Sequence, residues 1–122
     1  MCKVVNVKIG NRDVKVADIK RKYLENIVAS AEECAFIDKI VLFGSSIDDR
    51  CTEDSDIDIA VFGTHSKGKA LTSKQFRRFA DRLAEFDDFL QSYDILYFKT
   101  GKKDDSAILA EIDKGEVLYV RE

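Results

Sequence analysis

Asp56 and Asp58 are the residues of this chain best placed to do chemistry, flanking Ile57 at the head of the apolar run Ile59-Ala60-Val61-Phe62. In an extended strand successive side chains alternate between faces, so the two carboxylates share one side while Ile57 and Ile59 take the other. Two like charges held one strand repeat apart are costly, and a hard divalent cation such as Mg²⁺ between them turns that cost into affinity. Upstream, Gly44-Ser45 ends a separate apolar stretch, Val41-Leu42-Phe43, where backbone amides can face a phosphate. An acid pair opposite such a turn points to metal-dependent nucleotide chemistry. Asp94 opens a third apolar run, Ile95 to Phe98, and its place mirrors that of the pair. A lone acid there is ordinarily a strand-edge or capping residue. If the two strands are parallel neighbours, however, three carboxylates gather at one sheet edge. There they could hold two cations about 3.5–4 Å apart for an in-line displacement at phosphorus.

Strands must position these acids, and the sequence alternates strands with helices. Val5 to Ile9 and Asp13 to Val16 are β-prone runs around Gly10-Asn11-Arg12, which predicts a hairpin extension over residues 1–16. Asp18 is expected to cap a helix to about Glu33, with Ile19, Tyr23, Ile27, Val28 and Ala31 on its apolar face. Lys39 to Phe43 and Asp56 to Phe62 read as strands covered on both faces, and Tyr93 to Phe98 as a third central strand. Gly63 to Thr72 reads as a polar loop containing Gly68. Ser73 opens an amphipathic helix to about Phe89, its Phe76, Phe79, Ala80, Leu83 and Phe86 at core spacing rather than as a stacking platform for bases. Asp104-Asp105-Ser106 can cap a last helix ending near Lys114, with Gly115 as its left-handed terminator, before a strand from Glu116 to Val120. The fold class that follows is α/β (α+β), a mixed β-sheet covered by helices.

The 122 residues suit a single domain, 1–122, with 45% hydrophobic and 35% charged residues as in a compact soluble protein. The apolar runs are too short to span a bilayer, so no membrane association is expected. Met1-Cys2-Lys3-Val4 does not begin a signal segment, which predicts a cytoplasmic protein. Cys2, Cys34 and Cys51 are spaced for neither a disulfide framework nor zinc and read as free thiols. A net charge of −3 argues against a protein that tracks a nucleic-acid backbone. The local basic surplus of Lys67, Lys69, Lys74, Arg77 and Arg78 reads as solvated helix faces.

Other readings of the acidic segment fare worse. Asp54, Asp56 and Asp58 fall on positions one, three and five of a calcium loop, but Ile59 stands where that loop needs glycine and His65 where it needs glutamate. His65 follows the far end of the acid-bearing strand and is expected to be an exposed loop histidine. Nothing beside Cys51 predicts an activated thiolate.

Gly44-Ser45, ten intervening residues, and Asp56-x-Asp58 together resemble the signature of the polymerase-β-like nucleotidyltransferases, above all their short bacterial members, the minimal nucleotidyltransferases. Val41-Leu42-Phe43, Asp54-Ser55, Tyr93-Asp94-Ile95-Leu96 and the closing Ile112 to Tyr119 fit the same pattern, so the resemblance covers roughly residues 16–120. It implies transfer of a nucleoside monophosphate, AMP from ATP, with release of pyrophosphate. It implies that Asp56 and Asp58 bind two Mg²⁺ ions, and that Asp94 binds one of them and deprotonates or orients the acceptor hydroxyl. Gly44 and Ser45, followed by Ser46, would contact the nucleotide's phosphates. Short members resemble the antitoxin half of a two-protein module whose helical HEPN-type partner they can adenylylate. With only 28 residues after Asp94, the acceptor site is expected from such a partner or from a homo-oligomer.

The chain departs from the family where arginines commonly follow the glycine-serine pair. Ser46, Asp48 and Asp49 stand there, and two acids near a triphosphate repel it. Arg50, Lys67 or Lys69 would have to compensate. The departure keeps open an alternative, a catalytically weak or inactive module that neutralises a partner by contact. A template-independent polymerase is a weaker third reading, opposed by the negative charge and short length.

Overall fold

The computed structural model describes residues 3–10, 12–47, 52, 54–101 and 107–121. Cys2, Asp48, Asp49, Arg50, Cys51 and the expected Asp104-Asp105-Ser106 cap lie outside the described residues. The hairpin forms as read: β1, Val4–Ile9, pairs antiparallel with β2, Arg12–Ala17, in register from Val4 opposite Ala17 to Ile9 opposite Arg12. Alternation buries Val14 and Val16 on one side of β2. Gly10, at φ +60°, supplies the left-handed residue at the turn.

A turn of 3₁₀ helix over Asp18–Lys20 leads into α1, Arg21–Glu32. Tyr23, Leu24, Ile27, Val28 and Ala31 are buried along one helical stripe. The start differs from the reading above: Asp18 makes no capping hydrogen bond, and Ile19 is 38% exposed while Lys20 is 1% exposed. Three residues per turn in the 3₁₀ segment shift these positions off the α-helical stripe, so the lysine goes inside and the isoleucine out.

The main sheet contains β3, Ile37–Phe43, β4, Ile57–Gly63, β5, Tyr93–Lys99, and β6, Glu116–Val120, in spatial order β5-β4-β3-β6. β4 and β5 are parallel, and β3 is antiparallel to both β4 and β6. This is the mixed sheet with helices that the sequence predicts. β5 is an edge strand rather than a central one, and its Ile95, Leu96 and Phe98 stay half-buried.

The β3–β4 connection is followed past β4 by α2, Lys67–Leu71, which replaces the expected loop. Ser66 caps it by accepting from the Lys69 amide at 3.4 Å, and Gly68 sits there without steric need, since a Cβ would meet nothing within 4 Å. α3, Lys74–Glu85, is capped by Ser73 and buries Phe76, Phe79 and Leu83. It ends short of Phe89 because Phe86 is already extended, and Asp87, Asp88 and Phe89 after it all adopt positive φ. α4, Ala107–Asp113, precedes β6.

The pleat divides the core in two. Ile40, Leu42, Ile57, Ile59 and Val61 pack with residues of α1, α3 and the hairpin, whereas Val41, Phe43 and Ala60 pack with Ile112 and Leu109 of α4 on the opposite face. Gly115 is not the left-handed terminator expected, since its φ is not positive. It is required by closeness: a Cβ would collide with the Leu42 carbonyl and lie 3.0 Å from Val41 Cγ1. Gly115→Ala is therefore expected to lower stability by about 2–4 kcal/mol, measured by urea denaturation, because backbone of a central strand must move to admit one methyl group.

Candidate active site

The antiparallel pairing of β3 and β4 explains why a glycine and an acid separated by a loop belong together. Phe43, the last residue of β3, stands opposite Asp58, so the chain returns from the loop with Asp58 beside Gly44. Gly44 begins a 3₁₀ turn, Gly44–Ile47, at φ +75°, and a Cβ there would collide with Asp58 Oδ2. The position thus needs glycine for its backbone hand and for its contact with the carboxylate. Ser45 is half-buried on this turn, while Ser46 is wholly buried and its Oγ has no hydrogen-bond partner among the described residues. Ser45 is thereby the hydroxyl nearer the surface; Ser46 could reach a phosphate through its side chain only if the turn opened.

Parallel pairing aligns Asp58 with Asp94, and Ile57 with Tyr93. By strand alternation Asp58 shares its face with Ala60 and Phe62, and Asp94 shares the same face with Leu96 and Phe98. Asp56 immediately precedes β4 and is exposed, as is Asp94, whereas Asp58 is half-buried. Burial pushes the Asp58 carboxyl above its ordinary range, and the charges of Asp94 and Asp56 push it further. Asp94 and Asp56 therefore each lie close enough to the half-buried Asp58 carboxylate to repel it.

An all-carboxylate donor set fits a hard, oxygen-seeking divalent cation, and the three acids themselves offer no nitrogen or sulfur atom of the kind that favours zinc. As they stand, no three His, Cys, Asp or Glu side chains among the described residues converge as a ready-made metal cage. The strand register brings Asp58 and Asp94 alongside, but it leaves the trio short of a closed ligand sphere.

Two expectations fall to the topology. His65 is not an exposed loop residue: it is half-buried, its ring stacks on Phe36 at 4.2 Å, and its carbonyl accepts from the Tyr97 hydroxyl at 2.8 Å. Lys67 and Lys69 lie past the opposite end of β4, roughly 20 Å from Asp58 by strand rise, too far to neutralise charge at the Asp58 carboxylate. With Lys74, Arg77 and Arg78 they are exposed on α2 and α3, as the solvated-face reading expects.

Sequence reasoning missed the polar residues beneath the acid edge. Lys20 Nζ donates to the Ser55 carbonyl at 2.7 Å and to Gln91 Oε1 at 2.6 Å. Gln91 Nε2 donates to the Ser55 carbonyl at 2.9 Å and the Ser92 carbonyl at 2.7 Å. The sole signal was a lysine within the first turn of a buried helix, which composition cannot distinguish from a solvated one.

The sequence model of the family described as Polymerase beta, Nucleotidyltransferase matches residues 25–122. That span takes in the glycine turn, both acids of β4, and Asp94. No curated protein matches the chain.

Proposed function

The chain belongs to the polymerase beta nucleotidyltransferase family, and on that premise we propose that it is a Mg²⁺-dependent enzyme. It moves a nucleoside monophosphate, AMP from ATP, onto a hydroxyl of a partner protein or small molecule. The observation that carries this reading is the register setting Asp58 beside Asp94 while Gly44 lies against the Asp58 carboxylate. Bound divalent ions would supply charge neutralisation at the triphosphate. Asp56, Asp58 and Asp94 would hold them. The Gly44-Ser45 turn offers backbone amides and a hydroxyl to the β- and γ-phosphates, and Asp94 orients the acceptor hydroxyl or takes its proton. The acceptor oxygen then bonds to the α-phosphorus as the α–β bridge breaks and pyrophosphate leaves.

Half-buried Phe62, Leu96 and Phe98 lie on the same sheet face as the acids. That face suits an acceptor carried by another chain, a helical HEPN-type partner met in an antitoxin role or a second copy of this one. The second reading, neutralisation by contact alone, draws on the absence of a closed three-ligand cage among the described residues.

The test is incubation with labelled ATP, Mg²⁺ and the product of the neighbouring gene. Transfer that needs Mg²⁺ and falls about 10²–10³-fold in Asp56→Asn supports the enzyme, a loss typical of removing a group that stabilises transition-state charge. No transfer by the parent chain, with partner inhibition intact in Asp56→Asn, supports the contact module instead.

A further inference from the structure

We propose that Lys20 and Gln91 are positioning residues for the metal-binding carboxylates, a buried clamp that sets the two acid-bearing strands against each other. The inference rests on the reading that Asp56, Asp58 and Asp94 hold divalent ions. Lys20 is 1% exposed and Gln91 5%, so neither belongs to a surface network. Burying an ammonium group is expensive unless its protons are bonded, and two of the acceptors here are the Gln91 amide oxygen and the Ser55 carbonyl.

What the clamp grips gives it a purpose beyond filling the core. The Ser55 carbonyl belongs to the peptide group that supplies the Asp56 nitrogen, and it accepts from both Lys20 and Gln91. The Ser92 carbonyl belongs to the peptide that opens β5, two residues before Asp94. It accepts from Gln91 Nε2 and from the Ile57 amide at 3.0 Å. One side-chain amide thus bonds both entry peptides, and one ammonium group bonds that amide and one of the peptides. Ser55 is also held from the loop side, its amide donating to the Thr52 carbonyl at 3.1 Å and its Oγ accepting from the Thr52 amide at 2.8 Å. Rotation of either entry peptide would swing a carboxylate away from its neighbours. Groups that orient metal ligands in this way, without touching the metal, typically control affinity by about 10–100-fold.

The test is titration of the full chain with Mn²⁺ alone, read by electron paramagnetic resonance well below the melting temperature. It compares the parent with Lys20→Met, Gln91→Met and the double variant. Each folded variant is expected to need about tenfold more Mn²⁺ for half-saturation. The double variant should be no worse than the weaker single one, because the two residues act as one unit. A merely structural role would lower the melting temperature and leave the Mn²⁺ affinity of the folded protein unchanged, and that result overturns the proposal. Should Lys20→Met fail to fold, Gln91→Met decides alone, since it leaves Lys20 its bond to Ser55. A parent chain that binds no Mn²⁺ overturns the metal-dependent reading itself, and this inference with it; binding by the parent that is equal in the variants overturns only the clamp.

Discussion

Asp58→Asn is expected to melt higher than the parent chain in EDTA at pH 7, while losing label transfer and any upward shift of Tm with Mg²⁺. The first effect follows from the raised Asp58 carboxyl, displaced by burial and then by Asp94 and Asp56. A carboxyl whose folded pKa exceeds its unfolded value binds more protons in the native state, so stability falls as pH rises from the unfolded value through the folded one. Above that window the penalty is complete, and at pH 7 the parent carries all of it. The neutral amide removes the repulsion at similar volume. Because the site is half-buried and solvent screens the charges, the gain is modest, roughly 1–3 °C for a domain of this size. The catalytic loss is large, about 10²–10³-fold. In EDTA the parent should gain stability as the pH is lowered from 7 towards that window, and Asp58→Asn should lack this increment. A variant that melts below the parent at pH 7 would show that the carboxylates do not oppose one another in the folded chain.

The acids and the glycine turn were legible because each obeys a strong local rule. Period-two alternation placed Asp58 on the face opposite Ile57 and Ile59, and the structure keeps that division. The alignment of Asp58 with Asp94 depended on β4 and β5 being parallel, a matter of topology that no local pattern reports; the register supplies that pairing and no more. The same reason hid the edge position of β5, since Tyr93 to Phe98 is as apolar as a central strand. Errors clustered where backbone conformation departs from the common repeats. The 3₁₀ turn exchanged Ile19 and Lys20 between surface and core. An extended Phe86 followed by positive φ at Asp87, Asp88 and Phe89 ended α3 early without a glycine to announce it. Gly68 and Gly115 misled in opposite ways, one in a helix that tolerates it and one wanted for contact rather than handedness. Lys20 and Gln91 were invisible because the bonds that join them to each other and to the Ser55 carbonyl span 35 to 71 positions of the chain.

Gly44→Ala should reveal how far the glycine turn and the acid are one unit. At φ +75° an alanine incurs about 1–3 kcal/mol of backbone strain, and its methyl group would also collide with Asp58 Oδ2. Asp58 cannot retreat freely, since its strand is fixed on one side to Phe43 and on the other to Asp94. The substitution is therefore expected to destabilise the chain by about 2–4 kcal/mol and to reduce label transfer about as severely as Asp58→Asn does. Strain and collision can be separated by a cycle with Asp58→Ala, which removes the offending oxygen and leaves the backbone penalty in place. If the carboxylate is pressed against the glycine, the alanine costs less in that background, by about 1 kcal/mol or more in urea denaturation. An equal cost in both backgrounds would mean that the methyl group is accommodated without touching the acid. The glycine would then serve the hand of the turn alone, and any coupling between the glycine turn and the acid would have to run through some path other than this contact.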